Sequence, residues 1–172
     1  MKKVFALLMA ALLFCTMASA FADEDPVVMN RADYEAGAPA GETVSFETPA
    51  FTLWIPAGLE PVEVPEEELE YGDIAWWICE DHGNRLTVNY DNGGSVHSID
   101  DLKSFVAMRP DWFTSVCDVV VNGVPGLCYS TPNSEMLAFF FDDGYSLVFA
   151  SELGEDHADF TETIFASVTI NA

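Results

Sequence analysis

From Thr43 onward the apolar positions come in short runs bounded by Pro, Gly, Asn and Asp. Val44 and Phe46 lead to Pro49, and Phe51-Thr52-Leu53-Trp54-Ile55 then reads as a strand closed by Pro56 and Gly58. Ile74–Cys79 and Arg85–Tyr90 predict two further strands, joined by Glu80-Asp81-His82-Gly83-Asn84. In the second of these, Leu86, Val88 and Tyr90 alternate with Thr87 and Asn89, the rhythm of a strand with one wet face. Glu60 to Gly72, with Pro61 and Pro65, reads as an acidic loop.

The period then lengthens. Leu102, Phe105 and Val106 form one helical face, with Ile99 at its entry. Ser98 is placed to cap this helix. Its hydroxyl can accept from the backbone N–H of Asp101, whose carboxylate reaches back, and Pro110 stops the helix. A closing helix is predicted from about Asp156 to Val168, since Phe160, Ile164, Phe165 and Val168 fall at helical spacing. Asp156 and Asp159 near its start suit the positive end of a helix dipole.

Two hairpins separate the helices. Asn122-Gly123 and Asp143-Gly144 are two-residue turn signals, because both central residues of a type I′ turn need positive φ. A turn at 122–123 sets Val121 opposite Val124 and Pro125 opposite Val120, where no ladder N–H is required of the proline. The second turn predicts Phe141 opposite Ser146 and Phe139 opposite Val148. Ala75-Trp76-Trp77-Ile78 and Leu137-Ala138-Phe139-Phe140-Phe141 are apolar on both faces, as strands inside a three-layer arrangement are. The expected fold is α+β: an antiparallel sheet of six to seven strands with a helix packed on each face.

The first segment is read as an address. Lys2 and Lys3 precede an apolar run from Val4 to Met17, and small residues follow at Ala18, Ser19, Ala20 and Ala22. This is the pattern of a secretory signal peptide, residues 1–22, cleaved after Ala20 or Ala22. The run is shorter than the roughly 20 residues that span a bilayer. Residues 23–42, rich in Ala, Gly, Pro and acids without an apolar period, read as a spacer. Residues 43–172 are expected to form one globular domain.

Composition narrows the function. The chain has 172 residues and 29 acids against 6 bases. Loss of residues 1–22 removes two lysines, leaving 29 acids against Arg31, Arg85, Lys103 and Arg109, a net charge of −25. So acidic a surface argues against nucleic acid and against anionic lipid as partners. With 50% apolar and 13% aromatic residues, the chain has enough to bury and is not a disordered acidic tail.

Phe51-Thr52-Leu53-Trp54-Ile55-Pro56-Ala57-Gly58-Leu59 resembles the opening strand, proline, small residue, glycine and apolar residue of PsbP-like domains. The order that follows is also similar: a helix, a hairpin on Val121-Asn122-Gly123-Val124-Pro125-Gly126, a second hairpin and a closing helix. The resemblance covers roughly residues 43–170. It implies an α/β/α sandwich and supplies no catalytic residues. Family members include extrinsic subunits of photosystem II and secreted bacterial proteins, some of which bind apolar ligands or proteins. This chain lacks the lysine-rich surface of the photosynthetic members, which argues against docking on photosystem II.

Several constellations carry candidate chemistry. The 122–123 turn places Cys117 opposite Cys128, with Cα atoms about 5.5 Å apart, within disulfide range. The pair is a disulfide candidate or two small thiols on one sheet face; Cys79 reads as a core residue. Glu66, Glu67, Glu68, Glu70 and Asp73 are the densest carboxylates and weak candidates for calcium, though no EF-hand pattern is present. Glu80-Asp81-His82 and Glu155-Asp156-His157 match no zinc spacing. There is no Gly-x-Ser-x-Gly, no Cys beside a His and no phosphate-cradling glycine loop. Glu152, Glu155 and Asp142 are available as an acid–base pair only in the sense that 29 acids always supply one. Trp76 and Trp77 point to opposite faces and are expected in the core. Trp112, after the helix and beside Pro110, is the expected exposed aromatic and the ligand-surface candidate. The expectation is a secreted, non-enzymatic domain without a cofactor, binding a protein or an apolar ligand. The alternatives are a divalent-cation module and a hydrolase with a carboxylate pair.

Overall fold

The computed structural model describes residues 25–35, 40–79, 85–92, 94–153 and 158–171. The signal peptide, the 80–84 connection and the Asp156 cap lie outside the described residues. In chain order the elements are β1 (Val27–Met29), α1 (Arg31–Glu35), β2 (Gly41–Glu47), β3 (Ala50–Pro56), β4 (Leu59–Val62), α2 (Glu66–Leu69) and β5 (Asp73–Cys79). They continue with β6 (Arg85–Asp91), α3 (Ile99–Ala107), β7 (Ser115–Val121), β8 (Val124–Ser130), β9 (Glu135–Phe140), β10 (Ser146–Ser151), α4 (Ala158–Ser167) and β11 (Thr169–Ile170).

The α+β class stands, and the single antiparallel sheet does not. The main sheet has eight strands in the order β1-β7-β8-β9-β10-β6-β5-β4, and β1 runs parallel to β7, so the sheet is mixed. A separate three-stranded sheet, β11-β3-β2, lies against it. The periodicity of Phe51–Ile55 correctly shows which side chains are buried: Phe51, Leu53 and Ile55 are all within 2% of full burial. Alternation marks a face and not a pairing partner, so it could not assign that strand to a second sheet. Four helices are present among the described residues. The segment 23–42 is more than a spacer, since β1 and α1 fall inside it and Met29 is 2% exposed in the core. The acidic loop likewise contains β4 and the short helix α2.

The main sheet is covered on both faces, as the two-sided apolar strands required. Leu137 and Phe139 face one cluster with Phe51, Leu53, Phe149, Ile164 and Phe165, under the small sheet and α4. Ala138, between them, faces a second cluster with Leu102, Val106, Phe113, Leu127 and Tyr129, under α3. Ser98 caps α3 as predicted, its Oγ accepting from Asp101 N at 3.1 Å. The Asp101 carboxylate reaches one residue further than a capping box, accepting from His97 N at 3.2 Å.

The first hairpin has the predicted register, with Val121 opposite Val124, Val120 opposite Pro125 and Cys117 opposite Cys128. Both turn residues take positive φ, 48° at Asn122 and 87° at Gly123. The second hairpin is shifted by one residue: Leu147 is opposite Phe139, and Ser146 is opposite Phe140. Its loop has three residues, with Gly144 N donating to Phe141 O at 3.0 Å and Phe141 N donating to Tyr145 O at 2.9 Å. Gly144, at φ 86°, supplies the left-handed position such a loop needs. Burial decides between the two registers. A one-residue slip would exchange the faces, whereas here Leu147 and Phe149 are fully buried beside Leu137 and Phe139.

Asn122 holds three distant segments together. Its side-chain Nδ2 donates to Ala166 O at 2.8 Å and to Val168 O at 2.7 Å, and its Oδ1 accepts from Arg31 N at 2.9 Å. Its backbone N donates to Met29 O at 2.9 Å. The substitution Asn122→Gly keeps the positive φ and removes only the side chain. It is expected to lower unfolding stability by about 2–3 kcal/mol, since each of three bonds contributes about 1 kcal/mol. Urea titration of both forms measures it. Asn122→Asp should do at least as much harm, because a carboxylate would face two carbonyl oxygens.

Candidate functional site

The described surface shows few large apolar side chains in the open. Trp112 is 63% exposed and Met108 is 73% exposed, and both stand at the C-terminal end of α3. Met108 caps the helix with its N donating to Ser104 O and Val106 O. Pro110 ends the helix as predicted, and the chain then turns, Trp112 N donating to Arg109 O at 3.0 Å. The turn is therefore fixed by backbone bonds, and it presents Met108 and Trp112 to solvent.

Beneath them lies a continuous aromatic path. Tyr129 meets Phe113 edge-on at 5.9 Å, and Phe113 meets Phe105 at 5.9 Å. The guanidinium of Arg109 lies 3.8 Å from the centre of the Phe105 ring and 5.3 Å from that of Trp112. Arg109 thus bridges the second core cluster to the exposed tryptophan by cation–π contact. Its Nη1 is buried with no hydrogen-bond partner among the described residues. Other cations are differently placed: Arg85 pairs with Glu152 at 2.8 Å, and Lys103 with Asp118 at 2.7 Å. Trp112 was legible from its position after the helix. Arg109 was not singled out, although its spacing of four from Phe105 on one helix carried the signal.

The other sequence candidates do not converge. Glu66, Glu67 and Glu68 form the exposed first turn of α2, and Glu70 caps its end. Asp73 is committed elsewhere, with Oδ2 accepting from Trp76 Nε1 at 2.6 Å and Oδ1 accepting from Asn89 Nδ2 at 2.9 Å. Among the described residues no three His, Cys, Asp or Glu side chains are grouped to hold a metal ion. His82, His157 and Glu155 lie outside the described residues, and His97 is exposed. Glu152 is engaged by Arg85. Trp77 is core at 4% exposure, whereas Trp76 is half-buried under Arg85, because α3 covers only the β7–β10 part of that face. Cys79 is half-buried rather than core. It lines a cavity of about 60 Å³ with Ala57, Gly58, Leu59, Leu153 and Phe160. Pockets that enclose small ligands are about 300–1,000 Å³.

Cys117 and Cys128 are direct cross-strand neighbours, both half-buried and not joined by a disulfide. The Cys128 thiol is held well above the usual range by its hydrogen bond with Cys117 and by burial. Tyr129, at the root of the aromatic path, is pushed by burial from 10.0 up to about 12. A phenol raised in the folded state favours folding below its ordinary value and loses that contribution as pH rises through the folded value. Stability should therefore fall between about pH 10 and about pH 12, by an amount on the order of 2–3 kcal/mol. Tyr129→Phe is expected to flatten that part of the stability curve, as denaturant melts across the alkaline range would show.

Comparison with known proteins agrees with the architecture. No protein-family model matches the chain, and no curated protein matches it. Among solved structures, the chain is similar to the solution structure of cyanobacterial PsbP (CyanoP) from Synechocystis sp. PCC 6803. The identity is 12%, the TM-score is 0.52, and the match covers 80% of this chain and 96% of that one. The fold of this chain is PsbP-like.

Proposed function

We propose that the chain is an exported, non-enzymatic binding domain that engages a protein partner through the end of α3. The observation that carries this reading is the exposed Trp112–Met108 pair over Arg109, on a backbone turn that is already fixed. Trp, Met and Arg are the side chains enriched where proteins bind one another, and a pre-set turn lowers the ordering penalty of association. Nη1 of Arg109 is buried without a hydrogen-bond partner among the described residues, so no carboxylate neutralises the guanidinium there. The cavity beside Cys79, at about 60 Å³, is too small to enclose a drug-sized apolar ligand.

Export rests on the N-terminal pattern of Lys2-Lys3, an apolar run and small residues. No helix of the described residues is long and apolar enough to cross a membrane. The carboxylates 66–70 act in this reading as a solvated face that keeps the domain soluble and repels anionic surfaces.

A photo-crosslinking residue at Met108, in the full chain expressed in its own host, tests the surface. A discrete adduct is expected from position 108 and not from Tyr71, an equally exposed control at 72%. Trp112→Ala should abolish the adduct and weaken binding of the purified partner at least tenfold by calorimetry. The same variant should leave stability within about 0.5 kcal/mol, as exposed substitutions do. Equal adducts at 108 and 71, or an adduct indifferent to Trp112→Ala, would overturn the reading.

A further inference from the structure

The hairpin β7–β8 carries a pair of thiols that pack against the main core and that the binding surface does not use. We infer that Cys117 and Cys128 are an oxidation site that closes to a disulfide and staples this hairpin. Three observations carry the inference. The residues are direct cross-strand partners, and such partners have Cα atoms about 4.5–5.5 Å apart, inside the range a disulfide bridges. Their side chains already touch, joined by a thiol–thiol hydrogen bond, so the two sulfurs start as neighbours. Both residues retain some exposure, and burial raises the Cys128 thiol, so Cys117 is the one a small oxidant meets first.

Cys79 is excluded as the partner by topology. From β8 to β5 the sheet runs through β9, β10 and β6, four strand spacings, or about 19 Å. A disulfide cannot span that without unfolding the sheet. Cys79 is therefore an internal control, a thiol of the same chain that stays reduced while the other two react.

The reaction balances with a small disulfide as oxidant. One protein thiolate attacks the sulfur–sulfur bond of glutathione disulfide, forming a mixed disulfide and releasing one glutathione thiolate. The second protein thiol displaces the other glutathione, forming the Sγ–Sγ bond. The two thiol protons end on the two glutathione molecules, which take up the two electrons. The inference draws on the export reading for its oxidising setting, and on nothing in the α3 surface.

The test uses the full chain in excess glutathione disulfide, alkylated and digested without reduction, then mapped by mass spectrometry. The expected product links the Cys117 and Cys128 peptides and leaves Cys79 alkylated. The oxidised form should melt about 5 °C higher than the reduced one, as expected of a short closed loop in a chain of this size. Cys117→Ser should abolish that rise and leave a single glutathione adduct on Cys128. The inference is overturned if both cysteines stay alkylated, if Cys79 is linked in the folded protein, or if the link lowers the melting temperature. A second arm traps thiols in intact host cells. Thiols reduced in cells but linked in the first arm would sink the export reading and leave the site standing.

Discussion

One asparagine side chain sets the closure of the fold. Asn122 takes positive φ because the two-residue turn demands it, and this fixes where its amide points. The amide then satisfies two carbonyls at the end of the closing helix and one N–H at the start of α1. The carbonyls of Ala166 and Val168 stand where α4 ends, a place at which backbone acceptors lose their helical partners. The β1–β7 ladder joins the N-terminal strand to the hairpin through the backbone, and the Asn122 side chain adds the end of the closing helix to that join. Apolar packing is strong but non-directional. The amide adds the direction, and the backbone N–H of the same residue extends the β1 contact by donating to Met29 O.

Local chemistry made some of the fold legible. Asn-Gly announces its turn through backbone sterics, and the strand register, the proline position and the cysteine pairing follow without further information. The Ser98 cap and Pro110 bracket α3 for equally local reasons. Asp143-Gly144 was read as the same kind of turn and is not. Phe141 and Tyr145 close a three-residue loop, and the choice between the two is made by burial of Leu147 and Phe149 across the sheet. That decision depends on what lies on the other side of the strand. The same holds for β1: three residues flanked by acids show no period, and only the open edge of β7 makes them a strand.

The candidate site divides in the same way. An exposed tryptophan after a helix stop can be read from a sequence, because the proline sets the end and the turn sets the exposure. The role of Arg109 needs coordinates. In a chain with 29 acids the simplest expectation for any base is a carboxylate partner, and Arg85 and Lys103 meet it. Arg109 instead lies against Phe105, where a weakly hydrated planar guanidinium gains from the ring and keeps its charge. Lysine, a compact and strongly hydrated charge, would gain less there.

The charge balance gives this placement its meaning. A carboxylate near Arg109 would cancel the one local positive field on the α3 end and would bury little apolar surface. Ring stacking leaves the field in place, and it holds Trp112 upright on the aromatic path from Tyr129. Beyond a Debye length of about 8 Å the excess of acids is screened at physiological salt. At contact distance, therefore, a partner meets a cation and two apolar side chains rather than the net charge of the molecule. In the proposed reading the excess of acids disfavours anionic polymers and membranes on close approach, and short-range complementarity would select among other partners. The acidic composition and the stacking of Arg109 would in that reading be one device: the first excludes broadly, and the second admits narrowly.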